Sequence, residues 1–211
     1  MVLSSNETGR SMIEMLGVLA IIGVLSVGGI AGYSKAMMQY KINKTVDQVS
    51  QIVGNMRTLY GSQKNYANID ATILKKAHII PDEMWGDGYS DLSNAFGGDV
   101  VIETSDKKNG SDNKAFTVEL FDLPEEACMA LATYDWGSGS SSGLIAISAS
   151  NFSGLNGYWY SGCSGSINTG SQALIVACPN GDRVSVPMPV DKAAEGCECP
   201  NSECRFALKF Y

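Results

Sequence analysis

Six cysteines are the most reactive side chains in this 211-residue chain: Cys128, Cys163, Cys178, Cys197, Cys199 and Cys204. Such a set can hold a metal or close disulfides. Zinc needs paired ligands at short, regular spacing, and Cys197-x-Cys199-x4-Cys204 is not the usual pair. The one histidine, His78, is far away in sequence and reads as a structural or surface residue. An even cysteine count far from any apolar run favours disulfides in an oxidising compartment such as a periplasm or cell surface. All six are therefore expected in disulfides, with no metal and no cofactor, and the spacing leaves the connectivity open.

The same residues argue against catalysis. No Gly-x-Ser-x-Gly elbow stands beside a histidine partner, and neither His-Glu-x-x-His nor a phosphate-binding glycine loop occurs. A Ser–His or Cys–His enzyme could be built only around His78, and oxidised cysteines would be inert. The loop Ser105–Asn113 is rich in Asp and Asn, yet it lacks the Asp-x-Asp-x-Asp-Gly pattern and carries two lysines, so it reads as solvated rather than calcium-binding. The net charge of −7 makes the chain a poor general ligand for nucleic acid or anionic membrane surfaces.

A second chemical pairing lies near the start. Ser11 and Glu14 have capping-box spacing, in which each side chain takes a backbone N–H at a helix start. From Met15 to Ser34 no side chain is charged. At the helical rise this run spans roughly 30 Å, the thickness of a bilayer's hydrocarbon core. Secretory signal peptides carry a basic leading region and a shorter apolar core, which differs from this pattern. A plain membrane anchor remains open, but explains neither the preceding Gly9 nor the lone acid.

Beyond the run, Met38, Ile42, Val46, Val49, Val53, Met56 and Tyr60 fall in steps of three and four, one apolar stripe of a continuing helix. Lys41, Lys44, Gln48, Gln51 and Asn55 lie off that stripe, and Gly61 is a stop signal. A single helix from Ser11 to Tyr60 is expected. Its first half would be apolar all round, and its glycines (Gly23, Gly28, Gly29 and Gly32) suit close helix packing. Its second half needs a domain to pack on.

Residues 62–98 read as a loop with short helices, one capped by Asp70 over Ala71–Ala77, and Asn94–Gly98 as a turn. Strands are expected at Asp99–Thr104 and Lys114–Leu120, forming a hairpin. A helix opening at Pro124-Glu125-Glu126 should turn Cys128, Leu131 and Ala132 inward and end near Trp136-Gly137. After a Gly/Ser connection, strands follow at Leu144–Ser148, Gly157–Tyr160, Gln172–Ala177, Arg183–Val186 and Arg205–Tyr211. The last alternates, Phe206, Leu208 and Phe210 against Arg205, Ala207 and Lys209, as a half-buried strand would.

Gly9-Arg10-Ser11-Met12-Ile13-Glu14 followed by about twenty apolar residues resembles the N-terminus of type IV pilins. The resemblance implies that a prepilin peptidase cuts between Gly9 and Arg10, that the new amine of Arg10 is N-methylated, and that Glu14 is retained for assembly. Glu14 would pair with the amine of Arg10 in a neighbouring copy and set the register. The residues before the cut hold Glu7 and no Lys or Arg, and the residue after it is Arg10 where the family usually has Phe, Met or Leu.

The order of elements is similar to type IVb pilins, the group of the toxin-coregulated and thin conjugative pili. In that group a helix cysteine bonds to one near the C-terminus. Cys128 matches the first position, and its partner would be Cys197, Cys199 or Cys204. Cys163 and Cys178 could then close a local loop. The expected fold is α+β: a long N-terminal helix, half transmembrane and half amphipathic, on an antiparallel sheet with a disulfide-stapled C-terminal region. Residues 1–9 would be the leader, 10–37 the transmembrane and filament-core half, and 38–211 the globular head.

The resemblance implies a pilus subunit, held in the inner membrane with its head in the periplasm and then polymerised into an extracellular filament. Its partners would be copies of itself, the prepilin peptidase and the assembly machinery. Two other readings stay open. One is a minor tip pilin with Tyr158-Trp159-Tyr160 and the Gly/Ser loops as an adhesive patch. The other is a pseudopilin of a secretion system, whose domains are usually smaller and poorer in disulfides.

Overall fold

The computed structural model describes residues 8–86, 91–105, 113–137, 142–151, 158–161, 163–166, 187–199 and 203–211. The chain divides into two units, Met1–Tyr40 and Lys41–Tyr211.

One helix, α1 (Thr8–Tyr60), runs through both. It begins three residues before Ser11, so Ser11 sits inside the helix rather than at its cap. Each added residue gains one backbone hydrogen bond, and no proline interrupts the extension through Gly9 and Arg10.

In the second unit, α1 buries Ile42, Val46, Val49, Ile52, Val53 and Met56. The stripe is wider than its apolar residues suggest. Thr45 and Gln48 are buried with it, although residue type alone puts Gln48 on the free face. Thr45 satisfies its hydroxyl on the Lys41 carbonyl at 2.9 Å, and the Gln48 amide donates to Glu83 at 3.4 Å. Polar groups can enter a core face when such partners are within reach.

Short helices follow, as expected for this stretch. In α2 (Ala71–Lys76), Asp70 caps the helix by accepting from the Thr72 amide. Leu74 is its buried side chain. A single 3-10 turn covers Asp82–Met84, with Met84 buried. His78 is exposed.

The sheet is built from β1 (Val100–Ser105), β2 (Ala115–Leu123), β3 (Leu144–Asn151), β4 (Tyr158–Ser161), β5 (Cys163–Ser166) and β6 (Cys204–Phe210). Its spatial order is β1-β2-β6-β3-β4-β5, antiparallel throughout. Two helices interrupt the strands, α3 (Glu125–Ala132) and α4 (Val190–Gly196). Both contribute buried residues, Cys128 and Leu131 from α3 and Ala193 from α4. The helix α3 ends at Ala132, short of Trp136, and the Thr133 hydroxyl donates to the Met129 carbonyl at its C-terminus. α4 has no counterpart among the expected elements, although Pro189, Asp191 and Gly196 are ordinary start and stop residues. The strands expected at Gln172–Ala177 and Arg183–Val186 lie outside the described residues.

The position of β6 overturns one expectation. It is not a half-buried strand, because side chains on both of its faces are buried, and it lies between β2 and β3 at the middle of the sheet. Phe206, Leu208 and Phe210 pair with Leu120, Val118 and Phe116 on β2, and this face joins the α1 core. The opposite face is buried as well. Ala207 is 2% exposed and Lys209 0%, beside buried Thr117, Glu119 and Ser148. Alternation of polar and apolar side chains reports half-burial only when one face meets water.

Candidate functional site

Three features stand out as functional: the apolar start of α1, the disulfide cluster beside β6, and the polar groups that hold β6 in place.

In the first unit, the large apolar side chains from Met12 to Ile30 are 52–75% exposed. α1 is long and apolar enough to cross a membrane, with a mean hydropathy of 2.2 in its most apolar window. Apolar surface on this scale, carried all round one helix, requires lipid or other helices to cover it. Gly9, Arg10 and Glu14 all lie on this helix, with Arg10 and Glu14 one turn apart. A Cβ added at Gly23, Gly28, Gly29 or Gly32 would meet nothing within 4 Å, so these positions offer an approachable backbone.

The second unit carries the cysteines. Cys128 on α3 is bonded to Cys197 at the C-terminal end of α4. Cys199 is bonded to Cys204, the first residue of β6. Cys163 begins β5, and Cys178 lies outside the described residues. The Cys128–Cys197 bond therefore joins α3 to α4, and the Cys199–Cys204 bond fastens the start of the central strand. Pairing also removes these four thiols as metal ligands. Among the described residues, no group of three or more His, Cys, Asp or Glu could hold a metal ion.

Two arginines position the same strand. Arg57, in the last turn of α1, donates to the Tyr211 carbonyl at 3.2 Å and lies 5.6 Å over the Phe210 ring. Arg205 forms an ion pair with Glu119 on β2 and lies 4.8 Å over the Phe121 ring. Burial pushes the Glu119 carboxyl above its ordinary value, Arg205 pulls it back, and Glu103 adds to the rise. Sequence reading missed both arginines. A basic residue in a last helical turn was a visible signal for Arg57, but its partner is 154 positions away. A charged residue in an alternating strand gave no sign of the Glu119 pair.

Asn94 organises the turn before β1. Its Oδ1 accepts from the Phe96 and Gly98 amides, and its Nδ2 donates to the Phe121 carbonyl at 2.9 Å. A side chain at Gly98 would collide with that same carbonyl, which explains the glycine by close approach of two backbone segments.

The bundlin family model matches residues 35–173. The chain is similar to the major structural subunit of bundle-forming pilus from Escherichia coli O111:H-, with 28% identity over 145 residues, 69% of this chain and 74% of that protein. It is also similar to the toxin coregulated pilin of Vibrio cholerae, with 25% identity over 130 residues, 61% of this chain and 58% of the other. A crystal structure of a type IVb pilin from Salmonella typhi aligns over 80% of this chain and 96% of its own, with 18% identity and a TM-score of 0.46. The family match spans the amphipathic part of α1, β1, β2, α3 and β3 to β5, and on it the chain belongs to the bundlin family.

Proposed function

We propose that this chain is the structural subunit of a type IV pilus. It is made as a prepilin, cut by a prepilin peptidase between Gly9 and Arg10, and methylated on the new amine of Arg10. The apolar half of α1 holds it in the inner membrane with the head, residues 38–211, in the periplasm. The assembly machinery then draws copies into an extracellular filament in which the apolar helices cover one another.

The observation that carries this reading is the exposed, uncharged apolar surface from Met15 to Ile30, in a chain whose relatives are named as major pilus subunits. Lipid can cover that surface before assembly, and copies of the same helix can cover it afterwards. A carboxylate at Glu14 is costly in lipid unless it finds a partner, which supports a pairing with the amine of Arg10 in a neighbouring copy. Capture of that amine would fix the axial step between subunits.

Electron microscopy of fibres sheared from cells, with mass spectrometry of their main component, tests the proposal. The expected component has a mass corresponding to Arg10–Tyr211 plus one methyl group. Fibres whose main protein is another chain, or surface material that retains Met1, overturn it.

A further inference from the structure

We propose that Cys199 is the sulfur through which the described disulfides are opened, so that an external dithiol reduces Cys199–Cys204 and leaves Cys128–Cys197 closed. Thiol–disulfide exchange requires the attacking thiolate to reach a sulfur of the bridge. Cys128, Cys197 and Cys204 are each 0% exposed, whereas Cys199 is partly exposed. Attack without unfolding therefore falls on Cys199.

The packing around the two bridges points the same way. Cys128 sits within α3, and the amide of Cys197 bonds back to the Ala193 carbonyl of α4 at 2.8 Å. If a reagent opened that pair, the expelled cysteine would stay beside the mixed disulfide and re-form the bond by displacing the reagent as its thiolate. Cys199 instead lies between Glu198, which is exposed, and a bond to the first residue of β6. The bridges are adjacent but chemically unequal, with Cys204 Sγ 3.4 Å from the Cys197 carbonyl oxygen.

One thiolate of the dithiol attacks Cys199 Sγ, forming a mixed disulfide and expelling Cys204 as a thiolate. The second thiol of the reagent then attacks its own sulfur in the mixed disulfide, which releases the Cys199 thiolate and a cyclic oxidised reagent. Two electrons pass from the dithiol to the protein. Glu198 and Glu203, both exposed, flank the pair in sequence. Their charge disfavours an anionic thiol such as glutathione and leaves a neutral dithiol as the matching class.

The test is timed alkylation of the folded full-length protein in dithiothreitol, with peptide mapping that follows Cys163 and Cys178 separately. Cys199 should be labelled at least roughly tenfold faster than Cys128 and Cys197, with far-UV circular dichroism unchanged. Equal rates, earlier labelling of Cys128 and Cys197, or no labelling short of unfolding each overturn the proposal. A Cys199→Ser/Cys204→Ser protein supplies an independent measurement. Its Cys128–Cys197 bond should resist dithiothreitol at the slow wild-type rate, and opening at the fast rate also overturns the idea.

Discussion

Arg57 and Gly143 occupy each other's space. Gly143 has a φ of +67°, and a Cβ built there would run into the Arg57 guanidinium. The missing side chain lets Arg57 reach across to the Tyr211 carbonyl at 3.2 Å. The same stretch is tied again where the Tyr211 amide donates to the Gly143 carbonyl at 3.0 Å. The end of α1, the start of β3 and the end of β6 are thus held at one point by one guanidinium and one glycine.

This relationship predicts a coupled pair of substitutions. Arg57→Ala should cost about 1–2 kcal/mol through loss of the charged hydrogen bond and ring contact. Gly143→Ala should cost at least as much, because strain of about 1–2 kcal/mol at positive φ is joined by the clash. In the double variant the clash is gone, so its cost should be smaller than the sum. Urea unfolding of the four proteins measures the difference, and strict additivity would show that the two residues do not share the site.

The Cys128–Cys197 bond should dominate the covalent contribution to stability. Its ring spans a sequence separation of 69, against 5 for Cys199–Cys204. Chain-entropy arguments assign about 4 kcal/mol to the first and about 2 kcal/mol to the second. Cys128→Ala/Cys197→Ala should therefore lower the urea midpoint by more than Cys199→Ala/Cys204→Ala. The reverse ranking would place the main constraint at the start of β6.

Glu119 supplies a prediction about pH. Its carboxyl is raised above 4.5 in the folded protein, so above that value the folded state holds more proton than the unfolded one. Stability from this group is complete below the unfolded value and falls as pH rises through the folded one. Glu119→Gln removes that slope. As pH rises from the unfolded value through the folded one, its stability relative to wild type should improve, even though the Arg205 ion pair is lost. Urea midpoints across that range check this, and a difference that stays constant or worsens counts against it.

Glu14→Gln tests the proposed assembly role. The amide keeps most of the helix hydrogen-bonding capacity and removes the charge. Processed subunit should accumulate in the membrane fraction while surface fibres fall sharply, as seen by immunoblot and electron microscopy. Normal fibre yield from this variant would rule out pairing through the Glu14 carboxylate.

The elements legible along the chain are those set by local physics. An uncharged apolar run of about twenty residues without proline reads as a helix despite its glycines, because a segment in lipid must pair its own backbone groups, and a stripe in steps of three and four marks the buried face of its continuation. β1, β2 and the start of α3 were legible for the same reason, since turn residues and alternation act over a few positions. The tertiary structure decided what depends on distant neighbours. Cys197, rather than Cys199 or Cys204, meets Cys128 because α4 carries it to α3, and no spacing rule encodes that meeting. Gln48 and Lys209 are polar by type and buried by place, one under the face of α1 and the other in the central strand. β6, the last of the described strands, lies in the middle of the sheet. Side chains on both its faces are buried, which alternation within seven residues cannot reveal.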